Sequence, residues 1–349
     1  MSINLDPINT AATKNIMPGL VDNFFKDDPL LQMLKAQRLF DMPGGPSFQE
    51  NFLYAPMNGG FYGKGQDFDI STKQVYTGLT FTPRYAEVNV SEYLEDIEVE
   101  ANSPQKVLDM VQTHLGAAAL TMSGILAVAL YKEGQSAGRI RAINGLSEGL
   151  SDGTNASYDG STYTSYGTQT RADVAPALNS PVGAQAANVN GQITYAVLER
   201  SYQSCVIGGE FPKIGVTSNR CMAFINENFQ PQQRLDTNEP TIGWPGIKFK
   251  SNTTTIVQSQ YVPSQDGVND PTLGNYLNAS EVFFWLNPGP TGDLAYLKFY
   301  TSTSPKYRFG FTGFKVVQNG TKVAGQILWS GNFTIRAPRL MRILFGITS

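Results

Sequence analysis

Histidine is almost missing: His114 is the single one in 349 residues. The stretch Gly145-Leu146-Ser147-Glu148-Gly149 matches a hydrolase nucleophile elbow, which needs an acid and then a histidine later in the chain. His114 lies upstream of it, so that chemistry has no base. Cysteine is scarce too. Cys205 and Cys221 are too few for a disulfide framework, and with one histidine they leave no zinc constellation. The expected setting is a reducing cytoplasm. Basic charge is not in excess, with Lys+Arg 26 against Asp+Glu 29 and a net charge of −3. A protein that grips nucleic acid through phosphates carries the opposite signature. The N-terminus, "MSINLDPINTAATKN", has no basic n-region or apolar h-region and is expected to be no secretory signal.

Long apolar runs are lacking as well. "LGAAALTMSGILAVAL", residues 115–130, holds Thr121 and Ser123 and falls short of the ~20 residues of a membrane span. It reads as a buried helix. "GGFYGKGQ", residues 59–66, crowds glycines around a lysine without being a phosphate loop. Gly59 stands only four positions before Gly63, and Gly65 follows Lys64 where a hydroxyl must reach the metal. The acids of residues 91–100 lack the spacing and glycine of a calcium loop. A glycosidase needs only two carboxylates, and nothing marks such a pair.

What remains is a folded chain, 41% hydrophobic and 16% charged, with Phe 20 and Tyr 16. "PLLQMLKAQRLF" reads as a short helix with Leu30, Leu31, Leu34 and Leu39 at helical spacing, stopped by Pro43, Gly44, Gly45 and Pro46. In "FQENFLY" Phe48, Phe52 and Tyr54 share one side of a strand and Gln49 and Asn51 the other. The return limb, "LTFTPRYAEVNV", changes parity between Phe81 and Val88, which predicts a bulge or strong twist over 83–86. Limbs of about 20 residues would reach roughly 65 Å at ~3.3 Å per residue. A compact chain of this length has a radius of gyration near ~20 Å. The hairpin is therefore expected to break or to project, and a lone two-stranded ribbon is barely stable in water. The glycines of 59–66 then serve as turn and tip.

Residues 91–100, "SEYLEDIEVE", offer a solvated edge or a charge surface between subunits. Ser103 and Pro104 open a long helix expected over Pro104 to Lys132. His114 reads as a packing or partly exposed side chain of that helix. Residues 144–192 read as surface loops and short strands. "ITYAVLERSYQSCVI" and "NRCMAFINENF" suit helices. "KIGVTS", "GIKFKS", "TTTIVQSQYV", "EVFFWLN", "LAYLKFY", "FKVVQ", "QILWSG" and "LMRILFGI" suit strands. The class is α+β, without an internal repeat.

In order, these pieces resemble the major capsid proteins of tailed bacteriophages, the fold often called Hong Kong ninety-seven. The carriers are "GKGQDFDISTKQVYTGLTFTPRYAEVNVS" for an extended loop, "SPQKVLDMVQTHLGAAALTMSGILAVALYKEG" for a spine helix, "INGLSEGLSDGTN" for the entry to an axial domain and "GNFTIRAPRLMRILFGI" for a closing peripheral strand. The resemblance implies an N-terminal arm over 1–46, an extended β-hairpin over 47–90 and a peripheral domain with the spine helix over 91–144. An α/β axial domain would follow over 145–290, with strands of 291–349 completing both. It implies a structural subunit, not an enzyme, with no cofactor, forming pentamers and hexamers of an icosahedral virion shell assembled in the host cytoplasm. Packaged double-stranded DNA would be contacted weakly, with no membrane. A separate scaffolding protein is expected, because residues 1–46 are short for one, besides a portal and decoration proteins. Candidate contacts between subunits are Phe61, Tyr62 and Lys64 at the tip, and the acids Glu92, Glu95, Asp96 and Glu98 facing Arg336, Arg339 and Arg342. Lys64 also stands where some members carry a cross-linking lysine, and no partner is assigned to it. The rivals are a β-rich tail or adhesin-type binding protein and a carboxylate-dependent hydrolase.

Overall fold

The long helix is the element that the sequence marks most clearly, and it runs over Pro104–Tyr131 in the computed structural model. At 1.5 Å per residue it is about 42 Å long. Its second half buries Leu115, Ala118, Met122, Leu126 and Leu130 in the main core. Thr113–Tyr131 is long and apolar enough to cross a membrane by length and composition, and 61% of that stretch is buried inside the molecule. The structure describes residues 28–68, 70–95, 104–132, 141–181, 188–229, 246–249, 254–270, 274–276, 278–317 and 320–348.

Among the described residues, two six-stranded sheets accompany the helix. The first is organised by one 14-residue strand, Lys322–Ile335. Arg84–Tyr93 runs antiparallel along it, from Arg84 opposite Gly331 to Tyr93 opposite Lys322. Leu297–Thr301, Arg308–Phe311 and Lys315–Val316 also pair with this strand, the last two along residues that Arg84–Tyr93 pairs as well. Leu39–Asp41 joins parallel to Leu297–Thr301. The second sheet has the order Asn188–Gly191, Arg342–Ile347, Glu281–Leu286, Ile214–Thr217, Thr254–Gln258 and Gly246–Phe249. Glu281–Leu286 is buried along its whole length. Successive side chains of a strand point to opposite faces, so Phe283 and Trp285 enter one core and Val282, Phe284 and Leu286 the other. The helices Tyr195–Ser204 and Asn219–Phe229 supply Leu198, Tyr202, Met222 and Ile225 to the Trp285 side. On the other side the Phe284 ring lies 5.8 Å from Tyr131, at the end of the long helix.

Several expectations are corrected. The first helix is Pro29–Gln37, not a helix reaching Leu39. Arg38 turns inward and donates from Nη2 to the Gly289 carbonyl at 2.6 Å, while its own carbonyl accepts from Phe299 N. Sheet pairing thus captures Leu39–Asp41. The change of parity over 83–86 is not a bulge. Tyr76–Phe81 pairs with Phe48–Leu53, and after Thr82 and Pro83 the chain begins a new strand in the first sheet. The ladder of the hairpin is six residues long, Phe48 opposite Phe81 to Leu53 opposite Tyr76. At ~3.3 Å per residue that is about 20 Å, well under the expected reach. Residues 143–150 are buried rather than surface loop, with a short helix at Leu146–Gly149. "GNFTIRAPRLMRILFGI" is not one closing strand. Its first part ends the 14-residue strand of the first sheet, and Arg342–Ile347 pairs within the second.

Candidate interaction surface

The six-residue ladder stands on a buried ionic junction. Alternation puts Glu50 on the inward face of its strand with Phe48, and the carboxylate is buried. Lys298 Nζ approaches Glu50 Oε1 at 3.1 Å, Arg336 Nε approaches Oε2 at 3.3 Å, and the Tyr300 hydroxyl donates to Oε1. Burial, then the hydrogen bond and charge of Glu50, push the Tyr300 phenol well above its ordinary value. Arg336 also donates to the Asn51 carbonyl at 2.7 Å and the Asp293 carbonyl at 2.6 Å. Removing one partner of a buried pair typically costs about 3–5 kcal/mol, so this junction fixes the root of the hairpin to the first sheet. The turn between Ser165–Tyr166 and Gln169–Thr170 braces the same root: Thr80 N donates to the Gly167 carbonyl at 2.8 Å. A Cβ on Gly167 would lie 2.8 Å from Leu79 Cβ, so only glycine permits that approach.

Beyond the ladder, the described residues between Leu53 and Tyr76 form no strand or helix. Several local contacts shape the tip. Asn58 Nδ2 donates to Ser71 Oγ at 2.8 Å, and the rings of Tyr62 and Phe68 meet edge to face at 5.0 Å. A turn at Lys64 and Gly65 reverses the chain, and Gly65, at φ +84°, takes the conformation glycine tolerates best. Leu53, Met57, Phe61, Tyr62, Phe68, Ile70 and Tyr76 are all exposed. At about 1.5–3 kcal/mol per large apolar side chain, covering these seven would yield roughly 10–20 kcal/mol. Association costs an estimated ~4–15 kcal/mol, so the patch is large enough to hold a partner.

Phe61, Tyr62 and Lys64 lie exposed on this tip. The acidic and arginine candidates do not assemble as expected. Glu92 is 7% exposed and pairs with Nδ1 of His114, which makes it a clamp between strand and long helix. Arg342 is 4% exposed and donates to Ser204 Oγ at 2.6 Å, and burial lowers its pKa. Both are therefore corrected from surface contacts to internal ones, and Arg336 is engaged by Glu50. Glu95 and Arg339 are exposed; Asp96 and Glu98 lie outside the described residues. Glu50, Lys298 and Tyr300 escaped the sequence reading. Their signal was an acid on the parity of Phe48 and Phe52.

Ser147 and the two cysteines are internal. Ser147 is buried and donates to Asp159 at 2.7 Å. Cys205 and Cys221 are free and buried, and burial pushes both thiols up to about 12. Among the described residues no group of three His, Cys, Asp or Glu could hold a metal.

A projecting hairpin, a long helix and two sheets in this order make the α+β fold of phage capsid and encapsulin shell proteins. The capsid asymmetric unit of cyanophage A-1(L) superposes with a TM-score of 0.58 at 12% identity, covering 92% of this chain and 93% of that one. The holo-SrpI encapsulin complex from Synechococcus elongatus PCC 7942 gives 0.55 at 9% identity, covering 99% and 96%. The capsid of the native GTA particle gives 0.51 at 7% identity, covering 92% and 90%. No protein-family model and no curated protein matches the sequence.

Proposed function

We propose that this chain is the repeating subunit of a phage-type icosahedral capsid, a structural protein without catalysis or cofactor. The observation that carries the reading is the hairpin: its root is locked by Glu50, Lys298 and Arg336, while its tip presents an uncovered apolar surface. In this reading the hairpin lies on a neighbouring copy. The first sheet and long helix form a peripheral domain and the second sheet an axial domain, which gathers at centres of five and six copies. Of the stretch 1–46 expected to be an arm, residues 29–41 belong to the body, where Leu30, Leu31 and Leu34 are buried and Leu39–Asp41 pairs in the first sheet. The arm role is therefore kept for the residues before 28. Rings of either size require head-to-tail contacts that close by rotation, and one flexible tip accommodates both angles.

The shell encloses double-stranded DNA held with little direct grip, consistent with a net charge of −3. It forms in the host cytoplasm with a separate scaffolding protein, a portal and decoration proteins, and its place is the virion. Electron microscopy of the purified chain, alone and after co-expression with its neighbouring genes, tests this. Closed shells of uniform size are expected. A monodisperse monomer, or trimers and fibres, under both conditions would contradict it. Shells filled with protein rather than DNA would support an encapsulin-like container instead.

A further inference from the structure

Next to the root of the hairpin lies an open groove of about 520 Å³. Tyr85, Tyr307 and Trp329 give it an aromatic lining, and Arg84, Arg141 and Glu87 supply charge. That volume falls within the ~300–1,000 Å³ typical of sites that enclose a ligand group. Tyr85 is 68% exposed, and its ring meets Tyr307 edge to face at 6.2 Å. The buried Trp329 Nε1 has no hydrogen-bond partner. The groove therefore offers aromatic surface and charges of both signs.

The tip of the hairpin carries the complement. Phe61, Tyr62 and Phe68 are aromatic and exposed, with Lys64 and Asp67 among them. We infer that the groove of one copy receives the tip, residues 61–68, of a second copy. Tip aromatics pack on Tyr85 and Tyr307, Lys64 faces Glu87, and Asp67 faces Arg84 and Arg141. This rests on the shell reading and adds to it the socket and its chemistry. The contact joins the tip of one copy to the root of another, so it is heterologous, and repetition by rotation generates rings. It also couples neighbours mechanically. The groove begins at Pro83, two residues after the ladder ends at Phe81, so a docked tip bears on the point where the next hairpin leaves its sheet.

Cysteine trapping tests the pairing. In a chain carrying both Phe61→Cys and Tyr307→Cys, mild oxidation of assembled material is expected to give a ladder of covalent multimers on a denaturing gel. Either single variant should give no ladder beyond a dimer. The native cysteines are buried. Microscopy of the same samples separates the two ideas: closed shells without a ladder overturn the docking and leave the shell reading standing. A ladder without closed shells supports the docking and removes the shell. Neither ladder nor particles overturns both. As a second arm, Lys64→Glu and Glu87→Lys should each lower assembly yield about tenfold, because like charges juxtaposed are strongly unfavourable. The double reversal should restore the yield to within about twofold. Single variants that assemble like the original chain would overturn the pairing.

Discussion

The strand Glu281–Leu286 and the hairpin strand Phe48–Leu53 are both six residues long and both rich in large apolar side chains, yet they stand in opposite situations. The first is buried on both faces, between two cores, so all its side chains are satisfied within one chain. The second buries one face only, and beyond Leu53 the large side chains turn to solvent. A strand enclosed on both sides needs no other molecule. In the proposed shell, a hairpin with an anchored root and an uncovered tip is completed by a neighbouring copy. The difference separates a strand enclosed by its own chain from a hairpin whose tip its own chain leaves uncovered.

Substitutions should divide along the same line. The largest effect on the isolated subunit is expected at Trp285→Ala, which empties a fully buried site donating from Nε1 to Ser201 Oγ at 2.8 Å. It should cost about 3–5 kcal/mol in urea denaturation. Lys298→Met comes next. It removes one cation from Glu50 but leaves Arg336 at 3.3 Å, so the loss should stay below the ~3–5 kcal/mol of a pair broken outright. Equal losses for Lys298→Met and the Lys298→Met/Arg336→Met double variant would show that Arg336 does not share the charge.

A smaller, pH-dependent effect is expected at Asp28. It caps the first helix through Leu31 N at 2.9 Å and accepts from the hydroxyls of Tyr131 and Ser259. Burial outweighs these bonds and raises its pKa above 3.8. A raised folded pKa means that the group's contribution is fully present below the unfolded value and is lost as pH rises through the folded one. The original chain should therefore gain stability relative to Asp28→Asn as pH falls from 7 toward 4. A constant difference across that range would contradict the burial of the charge. Smallest of all, Phe61→Ser with Ile70→Ser should leave subunit stability within about 0.5 kcal/mol while lowering assembly.

The start signal at Ser103 and Pro104, together with apolar side chains recurring along a thin face, revealed the long helix almost to the residue. "EVFFWLN" and "KIGVTS" were equally legible as strands. What stayed hidden depended on partners remote in sequence. Leu39 has helical spacing, but the parallel pairing to Phe299 decides its conformation. Arg308–Phe311 escaped notice, and its pairing with the 14-residue strand is what makes it a strand. The loop after Asn144 looks polar, yet Arg171 threads it and donates to the carbonyls of Glu148 and Leu178. In the candidate surface, composition marked the tip. It could not show that Glu92 and Arg342 face inward, since charge does not report direction.

The most direct test of the central claim is hydroxyl-radical labelling of Met57, Phe61 and Tyr62 in the unassembled subunit and in assembled material, with Tyr131 and Trp285 as buried references. The three tip residues should label heavily in the subunit and become strongly protected on assembly, while the references stay protected throughout. Tip residues already protected in the single subunit, or equally labelled in both states, would contradict a hairpin that is completed by another copy.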